Sequence, residues 1–152
     1  MNYETKRRPR HTPIMQLSVF SENKVGRLNE LIGVLASNNI HIMGVCSVDT
    51  TDSSVIRILV DYIEQARALL EENNFTYAEN EVIVVEINDE SSIKKVTCSL
   101  VEAEINIHYI YSLLMRPHGR TGLVIRLEDN ELAKDVLNRH NVYVLSQEDI
   151  AR

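Results

Sequence analysis

Ser21-Glu22-Asn23-Lys24-Val25-Gly26-Arg27-Leu28 joins two runs of different period. Before it, residues 15–20 alternate, with Met15, Leu17 and Val19 against Gln16, Ser18 and Phe20, which is the pattern of a half-buried strand. After it, Leu28, Leu31, Ile32 and Leu35 recur at i, i+3, i+4 and i+7 and predict one apolar helix face. Gly26 falls where the turn becomes the helix. A helix start has free N–H groups and a partial positive charge, and a residue without a side chain lets a ligand come close to them. The stretch thus predicts a strand–turn–helix unit with a place for an anion. Its side chains suggest no covalent chemistry.

Outward from this unit the same alternation of periods continues. Asn38-Asn39 closes the helix, because asparagine tolerates the left-handed conformation. Residues 40–48 read as a strand around Gly44, residues 49–54 (D-T-T-D-S-S) as a turn, and residues 55–60 as a β-branched strand. Ile63, Ala66 and Leu70 predict a second helix, ending at Asn73-Asn74, and residues 75–78 a short strand. The first half is therefore β-α-β-β-α-β. The second half repeats it: a strand over 82–87, a polar turn over 88–92 with helix-capping residues, a helix bearing Ile93, Val96, Thr97 and Leu100, strands over 105–114 and 123–127, a helix over 131–139 and a strand over 142–145.

The halves also match in letters, at an offset of about 65 residues. Asn39-Ile40-His41-Ile42 parallels Glu104-Ile105-Asn106-Ile107, and Arg57-Ile58-Leu59-Val60-Asp61 lies over Val124-Ile125-Arg126-Leu127-Glu128. The expected architecture is α+β: two βαββαβ units, over residues 14–80 and 81–152, behind a basic tail of residues 1–13. Each unit puts both helices on one face of its sheet. The two sheets are expected side by side, with a homodimer extending the arrangement.

Composition narrows the function. A hydrophobic content of 44% and a charged content of 25% over 152 residues describe a globular chain rather than a disordered one. No apolar run can span a bilayer, so no membrane partner is expected. The first residues are polar and basic, unlike a secretory leader. Cys46 and Cys98 form no C-x-x-C and read as small buried residues in a reducing compartment, so a cytoplasmic location is expected. The net charge is −6, yet Lys6, Arg7, Arg8 and Arg10 crowd the first ten residues, which leaves an acidic body. That body, and a strand at 54–60 without aromatic residues, argue against nucleic acid. The histidines, His11, His41, His108, His118 and His140, show no ligand spacing, and His41 and Cys46 fall on opposite faces of a regular strand; no metal is expected. Arg116-Pro117-His118-Gly119-Arg120 is the most basic patch of the body and reads as a solvated hairpin loop, with phosphate binding as the alternative. Neither a nucleophile elbow nor a P-loop is present, and no cofactor or catalytic residue is expected.

Asn23-Lys24-Val25-Gly26-Arg27-Leu28 resembles the Asp/Asn-x-Pro-Gly-x-Leu signature of ACT domains, with Val25 where that family often has proline. Asn39-Ile40, reopening a strand after the helix, fits the same pattern. V-I-R-L-E-D-N-E-L-A-K-D-V-L over residues 124–137 and V-L-S-Q-E-D-I over 144–150 resemble the end of tandem ACT-domain proteins, so the resemblance covers residues 14–150. It implies a ferredoxin-like fold and a non-catalytic regulatory module that binds a small amino acid between two domains. The residues carried over as ligand-binding are Asn23, Lys24, Val25, Gly26, Arg27, Leu28, Asn39 and Ile40. The ligand's carboxylate would sit on the N–H groups of Gly26, Arg27 and Leu28. Asn23 would cap the helix or touch the ligand, Val25 would shape the pocket, and carbonyls of a neighbouring domain would take the ammonium group. The second copy has Asn88-Asp89-Glu90-Ser91-Ser92 at the equivalent turn, with no glycine and two carboxylates. It is expected to be degenerate as a cradle and to complete the first copy's site. Two other functions fit the sequence. One is a dissociable regulatory subunit of an amino-acid biosynthetic enzyme, resembling the small subunit of acetolactate synthase and requiring a catalytic partner. The other is a small enzyme acting on phosphate esters or acyl phosphates through Arg116 or Arg120.

Overall fold

The computed structural model describes residues 12–22, 26–114, 119 and 121–151. The first unit comprises β1 (Ile14–Glu22), α1 (Arg27–Ser37), β2 (Ile42–Asp49), β3 (Ser53–Val60), α2 (Ile63–Glu72) and the first half of β4 (Thr76–Ile87). The second begins in the other half of β4 and continues through α3 (Glu90–Glu102), β5 (Ile107–Ser112), β6 (Thr121–Leu127), α4 (Asn130–Arg139) and β7 (Val144–Leu145), with a closing turn of helix, α5 (Gln147–Ile150). The duplicated α+β order expected from the periodicity is what forms.

The junction differs from the expectation. Residues 75–78 and 82–87 were to be separate strands; they are one strand of 12 residues, β4. Its first half pairs with β1 (Phe20↔Thr76 to Ile14↔Val82) and its second half with β6 (Ile83↔Ile125 to Ile87↔Thr121). All seven strands therefore lie in one antiparallel sheet, ordered β2-β3-β1-β4-β6-β5, with β7 also on β4. Alternation along β4 explains why the helices share a face. Tyr77 packs on the first unit's core, and Ile83, Val85 and Ile87 belong to the second unit's core, all at odd positions of one strand.

Each core is the apolar stripe of two helices on that face. Leu31 and Leu35 of α1 and Ala66 and Leu70 of α2 meet Leu17, Val19, Ile56 and Ile58; Val96 and Leu100 of α3 and Ala133 and Leu137 of α4 meet Ile83, Val85, Ile125 and Leu127. Leu28 and Ile32 were expected in the same stripe, yet both remain exposed, because only the Leu31–Leu35 edge of α1 reaches the sheet.

Four helices end alike. Asn39, Asn74, Glu104 and Asn141 all take a left-handed φ, between 55° and 60°. In each case the next residue's N–H donates to the carbonyl of a leucine five residues back: Ile40 to Leu35 (3.0 Å), Phe75 to Leu70 (2.9 Å), Ile105 to Leu100 (3.0 Å) and Val142 to Leu137 (2.9 Å). This is the Schellman arrangement, and its apolar residue after the cap is buried every time. The four endings thus fix where the chain re-enters the sheet. Strands β2 and β5, which follow α1 and α3, also carry matching register shifts, at Ile42/Gly44 and Ile107/Tyr109.

The face away from the helices is not solvent-facing. The sheet curls until its outer strands meet, where the Leu114 N–H donates to the Met43 carbonyl at 2.8 Å. A third core fills the concave side, built from Ile14, Met43, Leu59, Val82, Val84, Leu113, Val124 and Ile150. Next to it lies a polar cluster joining the two units. The fully buried Gln16 accepts from the Tyr111 hydroxyl through Oε1 (2.6 Å) and donates through Nε2 to Tyr109 Oη (2.6 Å) and Ser18 Oγ (3.2 Å). The Arg57 guanidinium lies 4.0 Å from the centre of the Tyr109 ring. Burial pushes the Tyr111 phenol far above its ordinary range, so it remains a neutral donor. The cysteines were expected to be buried; Cys46 is half-buried and Cys98 is exposed, because Cys98 falls on the outer face of α3.

Candidate functional site at the start of the first helix

Gly26 sits at the N-cap of α1 with φ 96°, a left-handed backbone that disfavours any residue with a Cβ. A Cβ built there would meet nothing within 4 Å, so the requirement for glycine is conformational and the space above it is open. The Gly26 carbonyl accepts the first helical bond, from Glu30 N–H (2.8 Å), and among the described residues no side chain caps the N–H groups that precede it. Those groups and the helix dipole give this helix start, which follows the end of β1 in the chain, a partial positive charge.

There a cleft of about 670 Å³ opens, bounded by Phe20, Ser21 and Glu22 of β1, by Arg27, and by Asp52, Ser53, Asn74 and Thr76. Strand pairing explains the assembly. β1 is the centre of the first unit's sheet, so its last residues lie between β3 (Glu22↔Ser53) and β4 (Phe20↔Thr76). Arg27 is held by two contacts: its guanidinium lies 3.9 Å from the centre of the Phe75 ring, and Nη1 pairs with Glu30 Oε2 at 2.8 Å. The exposed Asp52 carboxylate stands on the rim. The cleft therefore offers N–H groups and a guanidinium for an anion, and a carboxylate for a cation, all from the first unit.

The equivalent helix start in the second unit is already filled. Asp89 caps α3, accepting from Ser92 N–H (3.0 Å) and from the hydroxyls of Ser91 (2.6 Å) and Ser92 (3.3 Å). The Ser91 hydroxyl and then the Ser92 N–H hold the Asp89 carboxyl below its ordinary range. α4 is capped the same way, by Asp129 on the Leu132 N–H (3.1 Å).

The family model for the ACT domain pair matches residues 12–152. The chain belongs to the ACT domain pair family. Its fold is close to that of protein BT0572 from Bacteroides thetaiotaomicron (TM-score 0.83, 29% identity, covering 93% of this chain and 97% of that one). It is also similar to the ligand-free regulatory subunit of aspartate kinase from Thermus thermophilus (TM-score 0.63, 14% identity, 85% and 93% covered). The regulatory subunit of aspartate kinase from Thermus flavus gives TM-score 0.60 at 13% identity, with 86% and 92% covered. At those identities the two Thermus likenesses are of fold. No curated protein sequence matches the chain.

Of the residues carried over from the ACT signature, Gly26, Arg27 and Leu28 come together at the start of α1. Asn23, Lys24 and Val25 lie outside the described residues. Asn39 and Ile40 stand at the other end of α1, about 16 Å away for eleven residues at a helical rise. Within one ACT pair the structure does not bring them to Gly26. Ile40 is buried in the first unit's core and Asn39 supplies the left-handed cap. The residues sequence reasoning missed are Asp52, Ser53, Asn74 and Thr76, read there only as turn, helix-end or strand residues. Placing β1 between β3 and β4, as a βαββαβ order requires, would have brought them to the end of β1.

The described histidines, His41, His108 and His140, do not converge. Among the described residues no three His, Cys, Asp or Glu side chains are placed to hold a metal. His41 Nδ1 is 2.8 Å from Oδ2 of the buried Asp61, whose Oδ1 also accepts from the His41 and Tyr62 N–H groups (2.9 and 3.0 Å). That carboxylate ties the entry to β2 to the end of β3. Arg116, Pro117, His118 and Arg120 lie outside the described residues. No described helix is long and apolar enough to cross a membrane.

Proposed function

We propose that this ACT pair is a non-catalytic regulatory module that binds a small amino acid in the cleft at the start of α1. The observation that carries the reading is the contrast between the two helix starts: α1 opens beside a cleft on a glycine, which has no side chain to cap its N–H groups, whereas α3 opens on its own carboxylate. An α-carboxylate would take the N–H groups at Arg27 and Leu28, the anion-binding arrangement of a helix N-terminus. The ammonium group would face Asp52, and Phe20 would shape the side-chain space. Asn23, Lys24 and Val25, which precede Gly26 in the sequence, belong to the same proposed ligand-binding stretch.

All the described walls of this cleft come from the first unit. The missing wall fits a second copy of the chain, laid over the exposed Leu28 and Ile32 of α1, and that copy would supply carbonyl groups for the ammonium. Asn39, exposed at the far end of α1, is reachable in such a dimer, whereas Ile40 is buried in the core. Ligand held between two chains would favour one arrangement of them, which a partner protein can read as a population shift.

A thermal-shift series over the twenty amino acids tests the reading. One or a few should stabilise the protein, since a ligand at ~100 times its Kd adds roughly 2.7 kcal/mol. Gly26→Asp should remove that shift by placing a carboxylate on the same N–H groups. An amino acid that stabilises Gly26→Asp and wild type equally would place the cradle elsewhere.

A further inference from the structure

A second cavity, of about 300 Å³, lies where the two units meet on the helix face. Its walls are the segment entering β1, the middle of β4, one side of α4 and the chain around β7. Two charges of opposite sign stand in it: Glu81 of β4 and Lys134 of α4, with Oε1 and Nζ 3.0 Å apart. Each side chain keeps about a third of its surface exposed, 31% in both cases, so both reach the cavity solvent. Asn138, one turn beyond Lys134, adds an amide, while Ile14, Ile83 and Leu145 make the opposite wall apolar. Glu81 is fixed from behind. Its carbonyl accepts from Arg126 Nη1 (3.3 Å) and Asn130 Nδ2 (3.4 Å), and Lys134 is steadied by Glu131 at 3.5 Å. This is a preset pair of charges beside an apolar wall, in a volume at the lower end for small-molecule sites.

We propose that this junction cavity is a second small-molecule site, taking a zwitterion with an apolar side chain: its ammonium on Glu81, its carboxylate on Lys134 and Asn138, and its side chain against Ile14, Ile83 and Leu145. A zwitterion meets the existing pair head to tail, so neither charge is left without a partner. A simple acid or a simple amine can pair with only one of the two. The site is separate from the cleft at Gly26, and it spans both units, so its occupancy bears on their junction.

Calorimetric titration of the Gly26→Asp chain with L-leucine tests this, with 4-methylpentanoic acid and 3-methylbutylamine as probes that lack one charge. The expected result is one L-leucine bound per chain, with both single-charge probes at least about tenfold weaker. Glu81→Gln and Lys134→Gln should each weaken L-leucine by a similar factor. An Asn138→Ala chain, altered at an exposed position, serves should either charge variant fail to fold. Amide chemical-shift mapping of the wild-type chain supplies the second readout, with shifts expected at Ile83 and Val144. Absence of leucine binding to Gly26→Asp at millimolar concentration would overturn the proposal, as would binding that survives both charge substitutions. Shifts confined to residues 26–28 would also overturn it while leaving the first site standing.

Discussion

Tyr111→Phe removes one hydroxyl from the cluster that joins the two units on the concave side of the sheet. In the native chain that hydroxyl donates to Gln16 Oε1 at 2.6 Å, and Gln16 is fully buried, so no water replaces the bond. A buried acceptor left without a partner costs about 1–3 kcal/mol. For a chain of this length each kcal/mol moves Tm by about 2–4 °C, so the variant should melt ~2–12 °C lower. The effect should also be coupled. In Gln16→Leu with Tyr111→Phe the orphaned acceptor is gone, and the double variant should cost less than the sum of the singles by roughly 0.5–3 kcal/mol. Urea unfolding of the four chains, followed by far-ultraviolet circular dichroism, measures both quantities. A Tyr111→Phe cost within about 0.5 kcal/mol, the range of a neutral surface change, would refute the reasoning. Strict additivity would show that Gln16 and Tyr111 act separately.

Other perturbations test other parts of the fold. A Cβ at Gly122 would lie 2.7 Å from Leu113 Cδ1 and 3.3 Å from Val84 Cγ1, so Gly122→Ala should overpack the concave core and lose about 1–3 kcal/mol in urea unfolding. Asn39→Ala forces a Cβ without amide compensation into a left-handed φ of 57° and should cost about 1–2 kcal/mol, whereas Asn39→Gly should be close to neutral; equal losses would remove the cap explanation. Leu35→Ala, in a fully buried position, should cost about 2–5 kcal/mol by thermal melt. Asp89 is held below its ordinary range in the folded chain, so the cap's contribution is complete above that range, near 3.8, and disappears as pH falls through the lower folded value. Stability measured against pH should therefore lose part of its acid-side fall in Asp89→Ala.

The helices and their endings were legible because each carries local signals. Leu35-Ala36-Ser37-Asn38-Asn39-Ile40 has an apolar residue, a residue tolerant of positive φ, and an apolar residue at the spacings a Schellman ending needs. The continuity of β4 was hidden by Glu79-Asn80-Glu81, which reads as a turn. In the fold Glu79 pairs with Arg67 of α2, Glu81 with Lys134 of α4, and Asn80 Oδ1 accepts from Ser18 Oγ at 3.3 Å, so strand geometry is kept by partners distant in sequence. Gln16, Tyr109 and Tyr111 were read only as strand residues. Alternation assigns Gln16 to the face away from the helices, but Tyr109 and Tyr111 reach that face only through the register shift at Ile107/Tyr109, and nothing local shows that the sheet curls back over it. At the site, Gly26 was legible from its place between two periods, while Asp52 and Thr76 depend on strand order. The place of the junction between the units, along β4, likewise depends on strand order.

The shared strand has a mechanical consequence. At about 3.3 Å per residue, β4 is a rod roughly 40 Å long, hydrogen-bonded along its length. Two domains on a flexible tether can swing freely, and a signal passed between them is an average over many angles. Two domains built on one beam can only bend or twist it, against restoring forces from every rung of the ladder. Any message sent from one half of this molecule to the other must be small in amplitude, quick to return, and felt along the whole rod at once.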